Sequence, residues 1–296
     1  YPTEAEILDI LEKTKAEEIT AYVDKVSDEP LMKETPKAGK IVKTEAGPFG
    51  STALTLSNGV RVVIKNTDFK ADEIRMTAFS PGGTSLFDTK EAIQLRMLNS
   101  VAGLGGLGNF SNVDLEKVLA GKKVGISTSV SGLTERVNGN CSPKDFETLM
   151  QLVYLSFTAP RMDDTAFESF KTRSKASMLN AEANPMTAFS DTLNHALYGN
   201  HPMVTRIKAD MIDQIDYNRI MEMYNDRFKE AGDFTFLFVG NINLEEAKPL
   251  IETYLGGLPT INRKENFQDI KLEKRKGNYK KVFEKQLETP KATVIS

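Results

Sequence analysis

Residues 233–259 read DFTFLFVGNINLEEAKPLIETYLGGLP, and this stretch decides the fold. A run dense in phenylalanine and aliphatic residues breaks at Gly240-Asn241. Asn243 with Glu246 then supplies a helix-capping pair, and the helix that follows dies at Gly256-Gly257, ahead of Pro259. A strongly apolar strand feeding a capped helix through a tight turn closes a layered α+β unit.

Upstream of that closing unit the same logic repeats. LSNGVRVVIK at 56–65 carries the turn pair Asn58-Gly59 ahead of a β-branched run, and EIRMTAFS at 73–80 is a second strand, cut by Pro81-Gly82-Gly83. Asp88 or Thr89 caps a helix through Ile93, Leu95, Met97, Leu98 and Val101, which ends in the glycine-rich segment 103–108. Ser111 with Asp114 starts a short helix closed by Gly121, and KVGISTSV (123–130) and LTERVNGN (133–140) form a hairpin about Ser131-Gly132. Ser142-Pro143 opens a helix whose apolar stripe is Phe146, Leu149, Met150, Val153, Tyr154 and Phe157. Beyond Pro160, helices are predicted at 163–182, 185–198 and 209–228, the last through Met211, Ile215, Ile220, Met223 and Tyr224. The expected architecture is an α/β roll of the α+β class, a mostly antiparallel sheet of about five or six strands covered by helices.

The flanks read differently. Ile7, Leu8, Leu11, Ile19 and Tyr22 to Val26 suggest a helical opening, followed by an extended, exposed Pro/Gly/Lys stretch from Glu29 to Pro48. Residues 1–48 are therefore expected to link domains, 49–261 to form the domain, 262–278 to be a charged linker, and 279–296 to open a further domain. The chain does not begin with Met, and it stops within the strand-like LETPKATVIS, so we expect a longer polypeptide.

Composition removes several classes of function. A formal charge of -3 and a pI near 5.7 leave no general basic face for nucleic acid. No apolar run approaches the roughly 18–20 residues that cross a bilayer, and the opening YPTEAEILDI is acidic, unlike a secretory leader. The single cysteine, Cys141, excludes an internal disulfide framework, and no histidine neighbours it in sequence to act as a base. Asp163-Asp164 and Glu245-Glu246 stand at helix starts, where carboxylates complement the helix dipole.

Any metal site must draw on the two histidines, His195 and His201. They stand across a helix end and the Gly199 turn, a spacing that suits a capping side chain and a turn-forming one ahead of Pro202; Asp191 would be the third donor of a weak adventitious site. Gly103, Gly105 and Gly108 match a GxGxxG spacing, the feature a nucleotide-binding enzyme would use. A dinucleotide fingerprint follows a strand and opens a helix, whereas these glycines follow a helix.

LSNGVRVVIK, the SPGG turn at 80–83, FTAPRMDDTAF at 157–167, YGNHP at 198–202 and the 233–259 stretch, in this order, resemble the α+β roll unit that pitrilysin/insulinase zinc peptidases repeat along their chains. The match is nearest to the long bacterial zinc proteases, and within them to the first unit of the second half. The resemblance implies an inverted zinc motif, His-x-x-Glu-His, in the helix after the second strand, since zinc needs strong protein donors and an open position and the glutamate activates the bound water. In this chain that helix reads EAIQLRMLNSV, so Gln94, Leu95, Arg96, Met97 and Leu98 stand where the motif would fall and no ligand set is present. No catalytic residue and no metal ligand is therefore assigned. By the resemblance, zinc belongs to a separate catalytic half of the same polypeptide, and this unit walls the chamber that encloses an unfolded peptide substrate. The edge strands and the loop of Gly103, Gly105, Gly106 and Gly108 would then face the cavity, in a periplasmic or cell-envelope protein. The rival within the resemblance is an assembly scaffold like the non-peptidase relatives of the mitochondrial processing peptidase.

Overall fold

The structure is a computed structural model that describes residues 3–16, 29–277, 280 and 282. The expected helix residues Ile19 and Tyr22 to Val26, and nearly all of the segment expected to open a further domain, lie outside the described residues. A first helix, α1 (Glu4–Ala16), precedes the main body.

A seven-stranded sheet organises the body, in the order β1-β2-β3-β7-β4-β6-β5. Its strands are β1 (Ile41–Ala46), β2 (Thr52–Leu56), β3 (Arg61–Asn66), β4 (Ile74–Pro81), β5 (Val124–Val130), β6 (Thr134–Cys141) and β7 (Thr235–Gly240). Every neighbouring pair is antiparallel except β3 with β7, where Val62 faces Phe236 and Ile64 faces Phe238 in parallel register. The count exceeds the expected five or six because of β1. Its sequence, IVKTEA, has no apolar alternation, and its side chains are almost all exposed; backbone pairing to β2 alone makes it a strand. Glu252 fixes its entry, as its carbonyl accepts from Gly39 N and its carboxylate from Ile41 N (2.8 Å).

The apolar run of β7 hides an alternation that places the core. Phe234, Phe236 and Phe238 are buried, whereas Leu237 and Val239 remain 39% and 36% exposed on the other face. Onto the buried face pack α2 (Ala92–Val101), α4 (Phe146–Thr158) and α7 (Tyr217–Phe228). Phe157 of α4 meets Phe228 of α7 at 5.2 Å and Phe234 at 5.0 Å between ring centres, both edge-on, the arrangement aromatic quadrupoles prefer. The remaining helices are α3 (Asn112–Val118), α5 (Asp164–Ala183), α6 (Pro185–Tyr198) and α8 (Leu244–Leu250). The continuous helix expected over 209–228 is broken: residues 209–214 form a tight 3-10 turn, and Asp216 restarts the helix by accepting from Arg219 N (3.0 Å). A strong N-cap outcompetes continuation through the apolar pattern.

Residues 260–277 have no regular structure but are held to the body. The buried Glu230 carboxylate accepts from Thr260 Oγ1 (2.6 Å), Ile261 N (2.9 Å), Arg263 N (2.8 Å) and Gly232 N (2.8 Å). Arg227, itself buried beside Glu135, holds Glu265 at 2.9 Å, and Gln268 N donates to Ser85 Oγ. Burial opposes the charge on Glu230, but the donors from Thr260 and the backbone outweigh it and hold the carboxyl below its ordinary value. A lowered carboxyl stabilises the fold above the unfolded-state value and loses that contribution as pH falls through the folded one. Glu230→Ala should therefore cost about 3 kcal/mol at neutral pH by urea denaturation. The gap between wild type and variant should narrow as pH drops below about 4.3, the unfolded-state value.

Candidate functional site: the α2 face and the β5 edge

Strand β4 ends at Pro81, and the chain turns sharply onto α2. Gly83 makes this possible: its φ is +63°, a Cβ there would stand 2.5 Å from the Ser131 carbonyl, and its N–H donates to Glu135 Oε1 at 2.8 Å. On α2, Leu95 and Leu98 are buried in the core, with Ile93 and Met97 packed against it. Gln94 bridges the break before α7: Nε2 donates to the Gln214 carbonyl (2.9 Å) and Oε1 accepts from Asp216 N (3.0 Å). Arg96 donates through Nη1 to the carbonyls of Pro202 and Thr205, and its burial pulls the guanidinium below its usual value. These side chains fill core and clip loops, and an amide and a guanidinium used as carbonyl donors offer a divalent cation no ligands.

The histidines do not converge on a shared ligand set. His195 Nδ1 lies 2.8 Å from Asn200 Oδ1, His201 Nδ1 accepts from Met203 N, and Asp191 is taken up by Arg206 at 2.9 Å. Among the described residues, no group of three or more His, Cys, Asp or Glu is placed to hold a metal ion. Cys141 is buried, and burial, with Asp145 nearby, pushes its thiol up to about 12, so it stays protonated and inert at neutral pH. Asp163 caps α5 through Ala166 N (2.9 Å), and Asn243 caps α8 through Glu245 N.

The glycine segment follows α2 directly and leads to α3, whose Ser111-Asp114 capping box is present. The segment is pinned: Gly108 N donates to the Ala159 carbonyl, Arg161 N to the Gly106 carbonyl, and Arg161 Nη1 to the Gly105 carbonyl. Gly106 has φ +91°, and a Cβ there would come within 2.2 Å of the Phe110 carbonyl, so a close backbone approach sets the residue type. Gly103 and Gly106 line a cleft of about 540 Å³ whose other wall is β5, with Leu115, Leu119 and Leu152 among its apolar lining.

Strand β5 is terminal in the sheet. Val130 N and O turn away from β6 and meet the amide of Asn99, at 2.8 and 3.0 Å, as they would meet the peptide group of a neighbouring strand. By the two-residue period, the backbone groups of Thr128 and Ile126 also point outward, beside the cleft. Tyr224 supports this wall from α7, its hydroxyl donating to the Ser156 carbonyl (3.0 Å) and lying 3.2 Å from Thr128 Oγ1. Sequence reasoning missed Asn99 and Tyr224; one is a polar residue in a helical run, the other an ordinary member of an apolar stripe.

The helix-covered α+β roll is the fold that solved peptidases of this type share. The model of the "Peptidase M16 inactive domain" matches residues 214–295. The chain is 30% identical over 235 residues to a zinc protease PQQL-like protein of Arabidopsis thaliana, a match covering 78% of this chain and 22% of that one. The fold is shared with the periplasmic protease PqqL of Escherichia coli (TM-score 0.73, 21% identity, 93% of this chain and 30% of that one). It is shared as well with the ferredoxin protease FusC, solved with Arabidopsis ferredoxin (TM-score 0.70, 15% identity, 93% and 30%). The chain thus spans about a quarter of the length of the curated relatives it matches.

Asn99→Ala would leave the Val130 N–H without its partner. The expected result is faster amide exchange at Val130 and a loss of about 1 kcal/mol in stability, with the rest of β5 paired to β6 as before.

Proposed function

We propose that this unit is a non-catalytic wall of the substrate chamber of a longer zinc-dependent endopeptidase, whose zinc and hydrolytic groups lie in a separate half of the same polypeptide. The observation that carries the reading is the combination found on one side of the unit. The helix in the position of the family's zinc motif uses Gln94 and Arg96 as structural clips, while the adjacent β5 edge offers unpaired backbone groups beside an apolar cleft. Such an edge suits an extended peptide, because backbone pairing accepts many sequences and the cleft takes apolar side chains on alternate residues. On this reading, Gly103, Gly105, Gly106 and Gly108 form the rigid opposite rim of the peptide groove. The periplasmic protease among the structural relatives supports an envelope location for the parent protein. FusC, which carries a protein substrate in its name, supports a polypeptide substrate.

Two measurements test this reading. Zinc titration of the chain with a quenched peptide present should give neither tight stoichiometric binding nor hydrolysis; both together would overturn the assignment. Fluorescence anisotropy should show an unfolded, apolar-rich peptide binding the chain, and N-methylation of alternate backbone amides should weaken it at least about tenfold. Equal binding of the two peptides would remove β5 from the proposal.

A further inference from the structure

The turn from β1 to β2 puts a phenylalanine where the backbone calls for asparagine or glycine. Phe49 has φ 57° and ψ 27°, Gly50 follows at φ 68°, and Ser51 N donates to the Pro48 carbonyl at 3.1 Å. Two consecutive left-handed residues closed by that bond make the primed type of hairpin turn, in which a bulky side chain at the first position is strained. Strain of this kind persists where packing offsets it. Phe49 has no such packing inside the unit, since it is 92% exposed.

A second phenylalanine stands at the same end of the sheet. Phe69 lies in the β3–β4 loop and is 91% exposed. Register puts the two loops side by side, for Thr52 at the start of β2 faces Ile64 near the end of β3, and Thr67 N, just past that end, bonds the Gly240 carbonyl of β7. Among the described residues, no other large apolar side chain is as exposed as these two.

We propose that Phe49 and Phe69 are paired anchors that insert into an apolar recess on another part of the same polypeptide, outside residues 1–296; this rests on the reading of the chain as one unit of a longer peptidase. Two observations select that occupant. An anionic lipid surface takes a cluster of about four to eight uncompensated cations, but beside these loops Lys43 is matched with Glu45 (2.8 Å), Lys70 with Glu73 (3.2 Å) and Lys123 with Asp72 (2.6 Å), which leaves Lys65 beside Gly50. A second copy would need a larger patch: two phenylalanines bury roughly 300–500 Å², whereas a stable interface takes about 800 Å² per partner. A covalently linked domain escapes that requirement, because tethering raises its effective concentration to about the millimolar range. The relatives have room for such a partner, since this chain covers 22% of the plant protein and 30% of the PqqL structure.

The protein expressed from its native reading frame supplies the test. With Phe49, and separately Phe69, replaced by photoreactive p-benzoylphenylalanine, irradiation and mass spectrometry should map both crosslinks to one segment of the same polypeptide outside residues 1–296. Crosslinks to lipid, to a second copy or to a different protein would overturn the proposal, as would the absence of any. Phe49→Asn gives an independent sign, because it relieves the turn: an idle Phe49 predicts a higher melting temperature, by about 2 °C, and an anchoring one a lower. Zinc content of the same preparation reports separately on the peptidase reading, so a zinc-loaded protein without crosslinks fails only the anchor proposal.

Discussion

Insertion of β7 between β3 and β4 is the constraint on which the rest of the structure depends. A strand from late in the chain enters the middle of a sheet begun near residue 41, and the three phenylalanines Phe234, Phe236 and Phe238 bury on one face only. All the large core helices must then pack on that face, where Phe146, Phe157 and Phe228 meet them edge-on or stacked. The opposite face keeps partly exposed Leu237, Val239 and Phe79, and β5 is left as a terminal strand. The result is a one-sided sheet with an open edge.

The same packing takes up the side chains of α2. Its inner positions belong to the core through Leu95 and Leu98, and its next positions are occupied by clips, Gln94 to the α7 break and Arg96 to the Pro202 and Thr205 carbonyls. Through these clips α2 holds residues 202–205 and the turn ahead of α7. The glycine segment is likewise built in, pinned to residues 159–161 and capped onward by Ser111. Gly105 and Gly106 serve close backbone approach, and Gly103 and Gly106 line the cleft.

Much of this was legible because the deciding signals were local. The Asn58-Gly59 turn, the Ser111-Asp114 capping box, the hairpin at Ser131-Gly132 and the Asn243 cap all depend on residues a few positions apart, and each is where the pattern puts it. Features that depend on distant partners were not legible. Strand β1 exists through pairing to β2 and a bond to Glu252, and its polar sequence carries no trace of either. Asp216 interrupts an otherwise periodic helix with its cap, and Glu230 gathers donors from a segment some thirty residues on, so their roles appear only in three dimensions. Asn99 is the sharpest case, for a side-chain amide that imitates a strand cannot be told from any other polar helix residue.

Strand β5, on this account, offers its outer edge to an extended chain while the helix behind it performs no chemistry. Residue-resolved amide exchange with and without saturating unfolded peptide tests this most directly. The amides of Ile126 and Thr128 should slow at least about tenfold on binding, while Ser127 and Ser129, already turned toward β6, stay unchanged. Protection confined to any other edge, or none at β5 under saturation, would contradict it.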